Sequence, residues 1–187
     1  TGTHELYARC TDNDDLKTSG DAVTVTVSSS SSAASPGDII KIGCEGDVYV
    51  NDPCTAVYYY GNDGLRHAFP NEAAFKSWFT DFDDLVTVSS SAMANITLGR
   101  NVTFRPGTRL IKFSTNTVYA VSFGGILRPI STEAIAIALF GSDWASEITV
   151  VSDVFFSNYR IGSDIESSND YSSSSSKTGT ATIDVTF

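Results

Sequence analysis

The sequence predicts a β-rich α+β fold: two β-hairpin/short-helix repeats with additional N- and C-terminal β-strands. Three observations carry that expectation. First, the middle of the chain is written twice: Val57, Glu72 and Phe79 return as Val118, Glu133 and Phe140, each 61 residues on (118 − 57, 133 − 72, 140 − 79). A fixed internal period is the mark of a repeated architecture, and it accounts for matched residues before any active site is invoked. Second, residues 22–27 and 181–187 place an apolar residue at every second position, the pattern of a half-buried strand. Third, each half holds one short apolar run behind a capping residue, which reads as a helix.

The N-terminal segment, residues 1–35, reads as a tail and a β-strand arm, with Val23, Val25 and Val27 on one face and a serine run at 28–32 behind them. Repeat 1 spans residues 36–103. It opens on a Pro36-Gly37 turn, continues through strands around Ile40-Lys41-Ile42 and Val48-Tyr49, and then folds a hairpin from residues 57–60 and 65–69. The connector Gly61-Asn62-Asp63-Gly64 is a strong turn signal. Asn71 caps an expected helix over 72–79, with Ala73, Phe75, Trp78 and Phe79 inward. A strand over 85–89 closes the unit.

Repeat 2 spans residues 104–165 and follows the same order: Pro106-Gly107, Ile111-Lys112-Phe113, Val118-Tyr119, and a turn at 122–125. Ser131 or Thr132 then caps a helix over 133–140 that ends at Gly141. A strand over 148–152 follows, with residues 154–156 expected to be buried. Residues 166–187 read as a Ser-rich linker and a C-terminal strand carrying Ile183, Val185 and Phe187. Two isolated strands are marginal in water, so the terminal strands must pack on the repeats, pair with each other, or complete a neighbouring subunit.

Composition narrows the function classes. Twelve Lys and Arg against 22 Asp and Glu give a formal net charge of −10, which disfavours nucleic acid and anionic membranes as partners. No apolar run approaches the length of a membrane span. The chain opens on Thr, and its abundant Ser and Thr with few lysines fit the mature product of a secreted precursor, placed outside the cell or on its surface. Asn95 with Thr97, and Asn101 with Thr103, form glycosylation sequons. Cys10, Cys44 and Cys54 have neither CxxC spacing nor a histidine at ligand distance, so a metal centre is not expected. Cys44 and Cys54 bracket a polar loop and are expected to form a disulfide. Cys10 is then odd: buried and free, or bridged to another subunit.

The residues that resemble catalytic groups have plainer explanations. Glu72 and Glu133 are each in the first turn of a helix, where exposed N–H groups favour a carboxylate, so they are not read as a glycosidase pair. Arg66 and Arg128 are read as matched structural residues on strands, and so are Lys41 and Lys112. Neither His4 nor His67 belongs to a nucleophile motif, and no phosphate- or dinucleotide-binding loop is present. The chain is read as a non-enzyme that needs no cofactor. Weak extracellular calcium binding is the exception considered, at Asp12, Asp14, Asp15 and Asp21 or at Asp81, Asp83 and Asp84, although the EF-hand glycine and terminal Glu are missing. Tyr58, Tyr59, Tyr60, Trp78, Phe123 and Trp144 are the aromatics from which a sugar-stacking face would be made.

The run from Ala56 to Glu72 and the run from Val118 to Arg128, closed by Ile161-Gly162, resemble repeat modules in secreted surface proteins of candidate-phyla (Patescibacteria-type) bacteria. The resemblance covers about residues 36–165 and departs from the pattern at Pro129, where the modules carry an aromatic. It implies an extracellular, non-catalytic module. Together these readings lead to an extracellular structural subunit of a surface filament, pilus or surface layer. It would polymerise with identical subunits by β-strand addition through Val23, Val25 and Val27 or through Ile183, Val185 and Phe187. The alternative is a module that binds cell-wall or extracellular glycan.

Overall fold

The computed structural model describes residues 2–6, 9–11, 17–20, 23–27 and 33–187. The chain divides into two compact units, Thr1–Ser32 and Ala33–Phe187. Helices and strands mix in an α+β arrangement.

The N-terminal unit contains β1 (Gly2–Leu6), β2 (Arg9–Thr11), β3 (Lys17–Ser19) and β4 (Val23–Val27). β1 pairs antiparallel with β4, and β2 with β3. The register steps by one residue between these ladders, because Leu6 faces Val23 whereas Arg9 faces Ser19. Among the described residues no third strand joins either ladder. The partner of the Val23–Val27 strand is therefore β1, in its own unit.

The second unit holds two sheets built in the same order. The first uses β5 (Ile39–Ile42), β6 (Tyr58–Tyr60), β7 (Arg66–Ala68) and, after the five-residue helix α1 (Glu72–Lys76), β8 (Leu85–Val88). β5, β6 and β7 run antiparallel in turn, and β8 returns parallel to β5, giving the order β7-β6-β5-β8. Helix α2 (Ser90–Asn95) follows, and Leu98 then bridges Arg66 in parallel. The second sheet uses β9 (Leu110–Lys112), β10 (Val118–Ser122), β11 (Ile126–Pro129), helix α3 (Glu133–Phe140), β12 (Ile148–Val150) and β13 (Arg160–Ile161). Its order is β12-β9-β10-β11-β13, with β12 parallel to β9 and β13 parallel to β11.

Matched hydrogen bonds extend the correspondence beyond the ladders. Gly37 N–H donates to Tyr60 and Gly107 N–H to Val121; Val102 N–H donates to Ala68 and Ile165 N–H to Pro129. Helix α2 follows β8, and a 3-10 turn over Asp153–Asn158 follows β12. Asn71 caps α1 through the Ala74 amide, and Thr132 caps α3 through the Ile135 amide, each satisfying a donor that the helix start leaves free.

Each sheet is covered on both faces. On the first, Met93 and Ile96 pack against Ile40 and Val88, while Trp78 and Phe79 pack on the side of Tyr59. On the second, Ile135, Leu139 and Phe140 of α3 pack against Leu110 and Ala120. The opposite face buries Ile111, Phe113, Val121 and Leu127 together with Ala74 of α1, so a helix inserted between two strands of the first sheet helps to close the second.

Several expectations need correcting. Val48 and Tyr49 are not a strand but lie exposed in the Cys44–Cys54 loop, and the Val-Tyr strand of this half is the one at Tyr58. Val154 is 78% exposed, because the 3-10 turn points it outward while Phe155 packs inward. The serine run is no linker: Ser173–Gly179 form helix α4, capped by the Ser172 hydroxyl. That helix lies against the Pro106-Gly107 turn, where Gly107 has φ +74° and an added Cβ would come within 2.1 Å of the Ser173 carbonyl oxygen. Only glycine serves there. Residues 181–187 are not a strand either; Ile183–Thr186 form a 3-10 turn. Its period near three puts Ile183 and Thr186 inward together, and the Thr186 hydroxyl donates to the Ile183 carbonyl.

Candidate functional site

The strand register places the two arginines of the repeated Leu-Arg pair at different positions. Tyr59 faces His67 and Tyr60 faces Arg66; Ala120 faces Arg128 and Val121 faces Leu127. Tyr59 pairs with Ile39 and Ala120 with Leu110, the first residue of each central strand, so His67 corresponds to Arg128 and Arg66 to Leu127. Alternation along a strand sends the two guanidinium groups to opposite faces. Arg66 lies over the Tyr58 ring, 5.2 Å from its centroid, and donates to the Met93 carbonyl. Arg128 donates to the Ser163 carbonyl at 2.9 Å and also to the Asp164 and Asp170 carbonyls.

His67 does in the first sheet what Arg128 does in the second. Its Nδ1 lies 2.7 Å from the Arg100 carbonyl, on the residue after Gly99, as Ser163 follows Gly162. The ring is buried and stacks on Phe187 with centroids 3.6 Å apart. Its Nε2 lies 3.2 Å from the Asp63 carboxylate. Burial pushes the Asp63 carboxyl upward, but the Leu65 amide and His67 outweigh it and hold the group below its ordinary range.

The C-terminal turn is clamped to the first sheet. The Asp184 carboxylate accepts from the Tyr59 hydroxyl at 2.6 Å and from the Asn62 backbone and side-chain amides at 2.8 Å each. Burial, then the bond to Asp184, drives the Tyr59 hydroxyl pKa well up. A pocket of about 370 Å³ opens beside this clamp, lined by Trp78, Phe79, Arg105 and Asp184 among others. The Arg105 guanidinium sits 5.5 Å from the Trp78 ring centroid, and Trp78 donates its indole N–H to the Thr103 carbonyl.

Each half also carries a groove between the start of its hairpin and the start of its helix. The first, about 300 Å³, is lined by residues 55–57, 69–72, Phe75 and Phe82. The second, about 460 Å³, is lined by residues 116–118, 130–133, Ala136 and Trp144. Every lining position except the last corresponds at the spacing of 61, and Phe82 and Trp144 differ from it by one residue. Glu72 and Glu133 thus stand on the rims of equivalent grooves. They do not converge as a catalytic pair. Glu72 is held by Lys76 at 2.8 Å, whereas no described cation lies within ion-pair distance of Glu133.

The remaining sequence-predicted residues fall in scattered places. Val23 is 61% exposed in β4, the strand that also contains Val25 and Val27. Ile183 is buried against Tyr59 and Val102, Phe187 is stacked on His67, and Val185 is exposed. Cys44 and Cys54 form the disulfide, with Cα atoms 5.1 Å apart. Cys10 is in β2, opposite Thr18. Tyr59 is buried between Tyr58 and Tyr60, and Phe123 is exposed at the second hairpin tip. Asn95 is exposed, while Asn101 bonds Asn158 and its sequon partner Thr103 is buried. Asp12, Asp14, Asp15 and Asp21 lie outside the described residues. Asp81 accepts from the Thr80 hydroxyl and the Asp83 amide, and among the described residues no group of three or more His, Cys, Asp or Glu is placed to hold a metal. No described helix is long and apolar enough to cross a membrane.

No protein-family model, curated protein or solved structure matches this chain.

Proposed function

We propose that the chain is an extracellular structural subunit, with residues 33–187 as a duplicated body and the N-terminal ribbon as its connector. The duplication is supported by the common strand order of the two sheets and by the paired Gly37/Gly107 and Val102/Ile165 hydrogen bonds. The Cys44–Cys54 disulfide fits an oxidising location outside the cell.

The observation that carries the assembly reading is the N-terminal unit itself. It is a compact unit of two-stranded ladders, and among the described residues no further strand pairs with the outer edge of either ladder. An isolated two-stranded ribbon gains little stability in water, and a neighbour's sheet edge supplies the missing partner. Val23, Val25 and Val27 give the added strand its alternating apolar residues. Ile183 and Phe187 already serve the chain's own core, so the C-terminal segment is the weaker candidate for exchange.

Sedimentation velocity and negative-stain microscopy of the full chain test the reading. Filaments or a lattice are expected. Deleting residues 1–28 should leave monomers, and Val25→Pro should weaken assembly by removing a strand donor. A full chain that stays monomeric at high concentration, or assembly unchanged by the deletion, contradicts it. The glycan-binding alternative is favoured by a separate observation, the aromatic-walled groove of the second half.

A further inference from the structure

The two equivalent grooves have been treated differently, and the difference points to a ligand in one of them. In the first, Phe75 fills the floor and stacks on Phe82 with centroids 4.2 Å apart and planes 12° from parallel. Phe69 crosses Phe75 edge-on at 5.1 Å, and Lys76 neutralises Glu72. In the second, Ala136 stands where Phe75 stood and Ser131 where Pro70 stood, and the volume is larger, about 460 Å³ against about 300 Å³. Trp144 forms the aromatic wall. Among the described residues none bonds the side chains of Asn116, Thr117 or Ser131, and none is a cation partner of Glu133.

We propose that the second groove, walled by Trp144 and rimmed by Glu133, Asn116, Thr117 and Ser131, binds a neutral saccharide of an extracellular glycan. This inference does not depend on strand addition. A pyranose ring offers an apolar face for an indole and a girdle of hydroxyls, which are donors and acceptors in one ligand. The groove offers the matching parts: one aromatic wall, one carboxylate that accepts only, and amide and hydroxyl side chains that both donate and accept. Its size falls in the range of small-ligand clefts. A lysine or arginine side chain would use the carboxylate and the indole but would leave the hydroxyl and amide rim unmatched. An anionic sugar would face an unneutralised Glu133 on a chain of net charge −10.

The test uses the full-length protein and soluble hexaoses of β-1,4-glucose, β-1,4-N-acetylglucosamine and α-1,6-mannose, with an oligogalacturonate and a lysine tetrapeptide as competitors for the assignment. Calorimetry and tryptophan emission report binding. At least one neutral hexaose should bind, and Trp144→Ala should weaken it about tenfold or more, as loss of an aromatic anchor does. Ala136→Phe, which restores the filled floor of the first groove, should abolish it. Glu133→Gln should weaken it severalfold, and Glu72→Gln should leave it unchanged. Trp144→Ala, at a partly buried position on the groove wall, adds no volume and keeps the test decisive if Ala136→Phe fails to fold. The proposal is overturned if no neutral hexaose binds at millimolar concentration, if binding survives both Trp144→Ala and Ala136→Phe, or if the tetrapeptide or the galacturonate binds this groove more tightly than every neutral hexaose.

Discussion

The two sheets of the body share strand order, helix placement and closing hydrogen bonds, yet they differ in what is fixed to them and in how their grooves are filled. The first sheet carries internal fixtures: the Cys44–Cys54 disulfide, the C-terminal clamp at Asp184, and the His67–Phe187 stack. Its groove is packed with phenylalanine. The second sheet keeps a plainer frame and an open groove. The two grooves stand at corresponding positions, and the phenylalanines of the first make it part of the core. A role filled in both halves, such as the helix cap made by Asn71 and by Thr132, speaks for folding; a role present in only one half is where a special function should be sought.

The largest expected effect comes from emptying the filled groove. Phe75→Ala removes a ring that is 1% exposed and packed on three other phenylalanines, at a cost of about 3–5 kcal/mol in chemical denaturation. A loss below about 1 kcal/mol would mean that the ring is not core and that the two grooves do not differ as described. Next comes the disulfide, which has no counterpart in the second half. The Cys44→Ala, Cys54→Ala double variant should lose about 2–3 kcal/mol, with reduction of the native protein giving a similar loss. Asp184→Ala should cost about 1–3 kcal/mol, because the Tyr59 hydroxyl, on a residue only 5% exposed, loses its acceptor. Hydrogen exchange should then quicken at Asn62 and at the C-terminal turn, leaving β9–β11 unchanged.

Smaller effects follow from acid and from surface charge. Asp63, in the first half, and Asp170, after the second, both have folded-state pKa values below the ordinary 3.8. For Asp63, burial acts upward and is outweighed by the Leu65 amide and His67; for Asp170, the Ser167 and Glu166 amides lead. A depressed folded-state pKa contributes stability above the unfolded value, and that contribution disappears as pH falls through the folded value. Denaturation midpoints should therefore decline below about pH 4, and Asp63→Asn or Asp170→Asn should each flatten the decline. Smallest of all is the exposed Glu72–Lys76 pair: Lys76→Ala should cost about 0.3–0.5 kcal/mol.

Much of the frame could be read from the residues. The turn Gly61-Asn62-Asp63-Gly64 announced its hairpin, Thr132 and Gly141 bracketed α3, and alternating valines marked β4. The same alternation misled at 181–187. A five-residue apolar rhythm does not separate a strand from a 3-10 turn, and the outcome there depends on Asp184 finding Tyr59 and Asn62 more than a hundred residues away. The Leu-Arg repeat misled about Arg66 and Arg128, because register is fixed by hydrogen bonding across the hairpin and a local dipeptide match carries no such information. Serine's modest helix propensity hid α4, whose helical state is supported by its cap and by its contact with the Gly107 turn. The grooves were invisible because each joins three separated segments. The signal that was available, Phe75 against Ala136 at matched positions, acquires meaning only once both are known to form a groove floor.

Amide NMR of the isotope-labelled full chain, titrated with whichever neutral hexaose gives calorimetric heat, probes the difference between the halves most directly. Shifts should gather at Asn116, Thr117, Ser131, Glu133 and the Trp144 indole, while Thr55, Ala56, Pro70-flanking amides and Glu72 stay still. Equal shifts in both grooves, or shifts confined to the first, would contradict the proposal that the second groove, and not the phenylalanine-filled first, is a binding site.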